Sequence, residues 1–387
     1  MKKLSFFFLL FFLVSQVFAQ VQKELVLNTT GYGFETGPGT NVHYNGQWDY
    51  IQKFMNLTYN GQDASVTAVR FYVSWQSYEP TLGNYKRAEL VQAIQDLVNL
   101  KGGTLKVALH FPYTRAGFWN DSYLPDSTIA RIYDGTKVGD NVANTNPSIF
   151  SEWARERFYA FVNDALAQLG SFYNKILYVE MGNSQSEEFS IPYHVIDGYS
   201  YPGMHDQGAA NMWRTQYLPC RYPGQSTVTW DGNTHNIASA PLGAQGQWPS
   251  WSSDLGKEFH RFAGWGLMRF FKGFRDVVKN RNNNLKVLYY VSDFGSSQGN
   301  AHHMHNSTLP MALNEADGIY TTEAENYNIQ EKIAALDVMK GTNPNKLAAI
   351  EFDPTDLGQG YAGPEHILSG VAETWMPRAY KHGADYV

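Results

Sequence analysis

Short apolar, β-branched runs recur along the chain, separated by stretches in which apolar residues return every three or four positions. In order the runs are ELVLN (24–28), AVRFYVSW (68–75), LKVALHF (105–111), KILYVEM (175–181), LKVLYYVSDF (285–294), DGIYTT (317–322), KLAAIEF (346–352) and ADYV (384–387). These make about eight expected strands. Between them, ELVQAIQDLVNLKGG has helical spacing and stops at a glycine pair, and PSIFSEWARERFYAFVNDALAQLG opens with Pro and Ser and closes with Gly. Both carry the start and stop signals of helices. KEFHRFAGWGLMRFFKGFRDVVKN and NIQEKIAALDVMKG have the same character.

Eight strands alternating with helices predict an α/β protein of the (β/α)8 or TIM-barrel class. The alternative is an open doubly wound sheet, which wants a phosphate-cradling glycine motif after its first strand. GYGFETGPGT follows the first run but lacks the G-x-G-x-x-G spacing, and it reads instead as a tight loop at the barrel mouth. The segment from about 193 to 256 breaks the alternation. It is rich in Gly, Pro, Trp and Tyr, and TVTWDGNTHN carries an Asp-Gly turn between two short strands. It is expected as an insertion after the fourth strand, over the C-terminal face that binds substrate in barrels. With no internal repeat or low-complexity linker, 20–387 reads as one domain. ADYV ends the chain, so the eighth strand lacks a following loop and helix, and a partial sequence is expected.

The chain opens with MKKLSFFFLLFFLVSQVFAQ, two lysines followed by an apolar run and a Val-Phe-Ala site. This has the form of a secretory signal over 1–19, placing the mature protein outside the cytoplasm, secreted or periplasmic, with an uncleaved anchor as the alternative. Cys220 is the single cysteine, so no intrachain disulfide is available and the core must hold the fold. The net charge of −6 and the lack of a long basic run argue against nucleic acid or an anionic membrane as partner. Aromatic residues make up 15% of the chain, with 10 Trp and 25 Tyr, a surplus that can serve sugar stacking as well as core packing.

Barrel chemistry sits where strands end. The polar residues there are Arg70, Trp75 and Glu79 after the second strand, His110 after the third, and Asn183, Glu187 and Glu188 after the fourth. Asp293 follows the fifth, Tyr320, Glu323 and Glu325 the sixth, and Glu351 and Asp353 the seventh. Two carboxyls from different strands are what glycosidic hydrolysis requires, one protonated to donate to the leaving oxygen and one ionised to attack or to activate water.

VRFYVSWQSYEPTLGNYKRAELVQAIQDL resembles the second strand and following loop of the (β/α)8 glycoside hydrolases that include family 42 β-galactosidases, family 5 endoglycanases and, more distantly, β-amylases. LKVALHFPY resembles their third strand, and KLAAIEFDP the seventh, where such enzymes carry a catalytic glutamate. The resemblance implies a glycosidase without cofactor or metal that acts on an oligo- or polysaccharide. It makes Glu351 the nucleophile, with Arg70 beside it, Tyr320 hydrogen-bonded to it, and His110 lining the sugar pocket. Strand four departs from the pattern: retaining families place the acid directly after an asparagine, but Ser184 follows Asn183. VEMGNSQSEEFSIPY is similar instead to a β-amylase stretch, a register that selects Glu188 as acid, with Glu187 beside it. Glu180 is the alternative, although within its apolar run it reads as a core residue. Retaining and inverting outcomes both stay open, as does a barrel that has lost its acid and only binds sugar. Trp75, Trp119, Trp213, Trp248 and Trp251 lie on expected mouth loops as candidates for stacking. A metal-dependent hydrolase using His302, His303 and His305 is the remaining rival, though their spacing is poor for one helix face.

Overall fold

The computed structural model describes residues 24–28, 51–52, 54–56, 58–59, 61–63, 65–113, 128–139, 146–182, 191–197, 199–243, 252–291, 314–324, 329–352 and 376–387. The expected leader, Asn183, Glu187, Glu188, Asp293, Glu325, Asp353, the three histidines at 302, 303 and 305, and Trp119, Trp248 and Trp251 lie outside them, as does the side chain of Glu323.

Seven parallel strands carry the fold: β1 (Val26–Leu27), β2 (Ala68–Tyr72), β3 (Lys106–Pro112), β4 (Ile176–Gly182), β5 (Leu288–Val291), β6 (Gly318–Ala324) and β7 (Leu347–Phe352). The first four pair in chain order as one sheet, and the last three as another. Isolated parallel bridges join Val179 to Val287, Ala349 to Tyr386 and Glu24 to Tyr386. The pairings therefore run from β1 through β7 to the ADYV segment and back to the start. Two backbone bonds reinforce that return, Glu24 N–H to Asp385 O at 3.2 Å and Val26 N–H to Val387 O at 2.7 Å. All five residues of β2 are buried, as expected of parallel strands covered on both faces.

Helices α1 (Arg87–Asn99), α2 (Glu152–Gln168), α3 (Asp254–Arg281), α4 (Ile329–Thr342) and α5 (Met376–Lys381) alternate with the strands. In α1 the buried set is Leu90, Ala93, Ile94, Leu97 and Val98, the three-and-four spacing of a single apolar stripe. Ser151 and Ser253 cap α2 and α3, their hydroxyls accepting from Ala154 and Gly256 N–H. Where α3 crosses α2, Gly266 and Gly273 leave room for Phe150 and Tyr159: a Cβ on either glycine would collide with the Phe150 ring or the Tyr159 hydroxyl. Phe158, Phe161, Phe270 and Phe274 pack edge-on and stacked between these helices and the sheet. Much of the aromatic surplus is thus core.

The second strand is shorter than the sequence predicts. It ends at Tyr72, and Ser74 caps a short helix Trp75–Tyr78 by accepting from Ser77 N–H. Trp75 therefore does not lie on a mouth loop.

Between β4 and α3 the described residues form a hairpin (Tyr193–Ile196 with Tyr199–Pro202), a helix Gln207–Met212 that continues through a π turn Trp213–Tyr217 into Leu218–Arg221, and a second hairpin (Thr227–Trp230 with Asn233–Asn236). The second hairpin has the expected Asp-Gly turn, with φ of 50° at Asp231 and 79° at Gly232, both in the left-handed region that such tight turns need. The Asp231 carboxylate accepts from Asp254 and Leu255 N–H at 2.8 and 3.3 Å, which ties the hairpin to the first turn of α3. Glu258 on α3 holds the end of the helical segment, accepting from Tyr217, Arg221 and Tyr222, and also from Arg261 on its own helix.

Candidate active site

Strand parity assembles the site. Register pairs Tyr72 with His110 and His110 with Glu180 across β2, β3 and β4, and Tyr290 with Tyr320 across β5 and β6. Paired residues on neighbouring parallel strands share a face, and residues two apart on one strand do as well. Arg70, two before Tyr72, joins the same face, as does Glu351, two after Ala349, the partner of Tyr320. Asn28 follows β1 directly.

Arg70 is the hub. Only 1% exposed, it donates from Nε to Glu180 Oε1 at 2.5 Å, from Nη1 to Tyr72 Oη at 2.9 Å and Asn28 Oδ1 at 3.2 Å, and from Nη2 to His110 Nδ1 at 2.8 Å. The rings of Tyr72, Tyr290 and Tyr320 surround the guanidinium, with centroids 5.0, 5.1 and 5.2 Å from Cζ. Burial opposes its charge, but Glu180 and then the tyrosines favour it, so it stays a cation.

Glu180 and His110 are both fully enclosed. Burial alone would raise the Glu180 carboxyl, but the Arg70 charge and the Arg70 Nε hydrogen bond overcome it and hold it below the usual carboxylate range. His110 is pushed down to about 4, by burial first and then by Arg70. It is therefore a neutral imidazole at neutral pH. A guanidinium can only donate, so Nδ1 is the acceptor and the proton sits on Nε2. His110 Nε2 and Glu180 Oε2 are buried with no hydrogen-bond partner among the described residues.

Glu351 is half-buried near the end of β7. Asn28 Nδ2 donates to its Oε1, and Tyr320 Oη to its Oε2 at 2.8 Å. Burial, then the Glu351 charge, push the Tyr320 phenol far above its ordinary value, so it remains a donor. Arg70 reaches Glu351 through Asn28 and does not bond it directly.

Of the residues singled out from the sequence, Arg70, His110, Tyr320 and Glu351 come together. Trp75 does not join them: it is fully enclosed, donates from Nε1 to Glu79 Oε2 at 2.8 Å, and stacks on Phe161. Its ring belongs to the layer between sheet and helices and cannot reach a sugar. Glu79 is likewise internal, bonded to Arg157 and the Gly83 N–H. Trp213 is buried against Tyr217 and Phe262. Sequence reasoning missed Asn28, Tyr72 and Tyr290. Parity was the available signal for the two tyrosines, since each belongs to the inward set of its strand.

No protein-family model and no curated protein sequence matches the chain. Solved structures do. The catalytic domain of β-amylase from Paenibacillus polymyxa superposes with a TM-score of 0.67 at 10% identity, covering 94% of this chain and 91% of that one. β-Galactosidase from the psychrophilic Marinomonas ef1 gives 0.63 at 16%, covering 94% and 53%. A catalytic mutant of Gan42B, a GH42 β-galactosidase from G. stearothermophilus, gives 0.63 at 13%, covering 95% and 51%. The chain shares the fold of these β-amylase and β-galactosidase structures, and it spans about half the length of the two galactosidase chains.

Proposed function

We propose that the circuit of parallel pairings is a closed (β/α)8 barrel carrying the 193–256 insertion, and that the protein is an exported glycoside hydrolase acting on an oligo- or polysaccharide. The observation that carries this reading is Glu351: a half-buried carboxylate near a strand end, with one oxygen held by Asn28 and the other by Tyr320. Such a carboxylate is oriented to attack an anomeric carbon, or to take a proton from a water that does so. Tyr320 and Asn28 supply neutral donors for the reacting carboxylate.

The proton for the leaving oxygen has to come from a second carboxyl. Glu180 does not suit that task, because Arg70 keeps it ionised and enclosed. Glu188, with Glu187 next to it, is the acid in this reading. The carboxyl separation from Glu351 then decides the stereochemistry, about 5 Å for retention and roughly 6.5 to 9.5 Å for inversion.

A second reading, a barrel that binds carbohydrate without cleaving it, is favoured by Ser184 standing where retaining families place the acid. Incubating the purified full chain with a panel of oligo- and polysaccharides separates the two. The hydrolase reading expects new reducing ends, and the anomer first formed, read by proton NMR, reports retention or inversion. Calorimetric binding to a glycan with no product after long incubation would replace the hydrolase by the binder.

A further inference from the structure

We propose that Glu180 is a positioning residue for Glu351, pairing the charge of Arg70 so that Glu351 keeps the basicity its chemistry needs. The inference rests on the reading of Glu351 as the reacting carboxylate.

The geometry is a relay of four side chains. Glu180 Oε1 accepts from Arg70 Nε at 2.5 Å, Arg70 Nη1 donates to Asn28 Oδ1 at 3.2 Å, and Asn28 Nδ2 donates to Glu351 Oε1. Because Arg70 can only donate, it fixes which way the Asn28 amide faces, and the amide nitrogen is left for Glu351. Among the described residues, Glu180 is the carboxylate bonded to Arg70. Three tyrosine rings enclose the guanidinium, so water does little to screen it.

Remove the charge on Glu180, and among the described residues the carboxylate left to balance Arg70 is Glu351. A carboxylate stabilised by an unpaired cation is a weaker base and nucleophile. The charged and titratable groups that interact with Glu351 among the described residues are Arg70, Tyr320 and Tyr178, with Glu180, Tyr290 and His110 behind them. Tyr178 and Tyr320 are pushed upward and His110 is neutral at neutral pH, so among the described residues Arg70 and Glu180 are the pair whose balance sets the local field.

The test is a carbon-13 NMR titration of the full chain labelled at glutamate carboxyls, with the Glu351 signal identified by its loss in Glu351→Gln. In Glu180→Gln the Glu351 midpoint is expected to fall by roughly one pH unit, and in Arg70→Met to rise, since Glu180 is then the unpaired charge. In the double variant, which removes both charges, it returns to within a few tenths of wild type. The acid limb of kcat/KM moves with the midpoint in each variant, a response that a merely structural role would not produce. A Glu351 midpoint unchanged in both single variants overturns the proposal. Where Glu180→Gln does not fold, Arg70→Met and the double variant decide it alone: a midpoint that stays at the wild-type value in Arg70→Met overturns it. If the midpoints move as expected while Glu351→Gln keeps wild-type turnover, the coupling stands and the catalytic reading of Glu351 falls.

Discussion

Arg70 and Glu180 meet at 2.5 Å in the interior of the strand circuit, each no more than 2% exposed, on strands separated by β3. Burying either charge alone is costly, and each offsets the cost of the other. Three of the remaining Arg70 donors go to Tyr72, Asn28 and His110.

Deleting one partner should therefore cost far more than deleting both. Arg70→Met and Glu180→Leu are each expected to lower the unfolding free energy by roughly 3 to 5 kcal/mol, while the double variant should lose much less than the sum. Guanidinium unfolding of the four proteins closes the cycle. Additive losses would show that the pair is not a unit.

Two buried groups should tilt stability with pH in opposite directions. Burial raises Asp206 from 3.8 to about 6, against the help of Ala209 N–H and the Ser148 hydroxyl, so its contribution is present below pH 3.8 and lost as pH rises through 6. His110 is lowered from 6.5 to about 4, so its contribution is present above pH 6.5 and lost as pH falls through 4. Each gap corresponds to about 3 kcal/mol. Relative to wild type, Asp206→Asn should gain stability between pH 4 and 6, and His110→Gln should lose its acid sensitivity between pH 6.5 and 4. Chemical unfolding across that range reads both.

Glycine-to-alanine changes in helices should also split by environment. Alanine favours a helix by about 1 kcal/mol, but at Gly266 the added methyl would strike Phe150, and overpacking costs about 1 to 3 kcal/mol. Gly266→Ala should therefore destabilise. At Gly341 in α4 an added methyl would meet nothing within 4 Å, and Gly341→Ala should gain a few tenths to about 1 kcal/mol. Thermal melts of the two variants give the signs.

The strands are legible because parallel strands covered on both faces read as apolar runs, and those runs in order foretell β1 to β7. The same property hides which way a polar residue in such a run points. Glu180 reads as a core residue, and it is one, but its alternation with Tyr178 and its register with His110 place it on the face that carries Arg70. Trp75 misleads for a different reason: Ser74 starts a helix where the apolar text continues, and helical phase turns the ring into the layer behind the sheet. Asn28 is unreadable as a site residue because β1 spans only two residues and offers no period. Its role depends on Arg70 and Glu351, which lie 42 and 323 positions away.

Glu351 is the residue proposed to do the chemistry. The most direct test of that role is the turnover of Glu351→Gln on whichever glycan the wild-type protein cleaves, with the fold of the variant verified by its circular dichroism. Loss of a reacting carboxylate is expected to lower kcat by roughly 10³-fold or more with binding retained. A correctly folded Glu351→Gln that turns over at the wild-type rate would contradict the account.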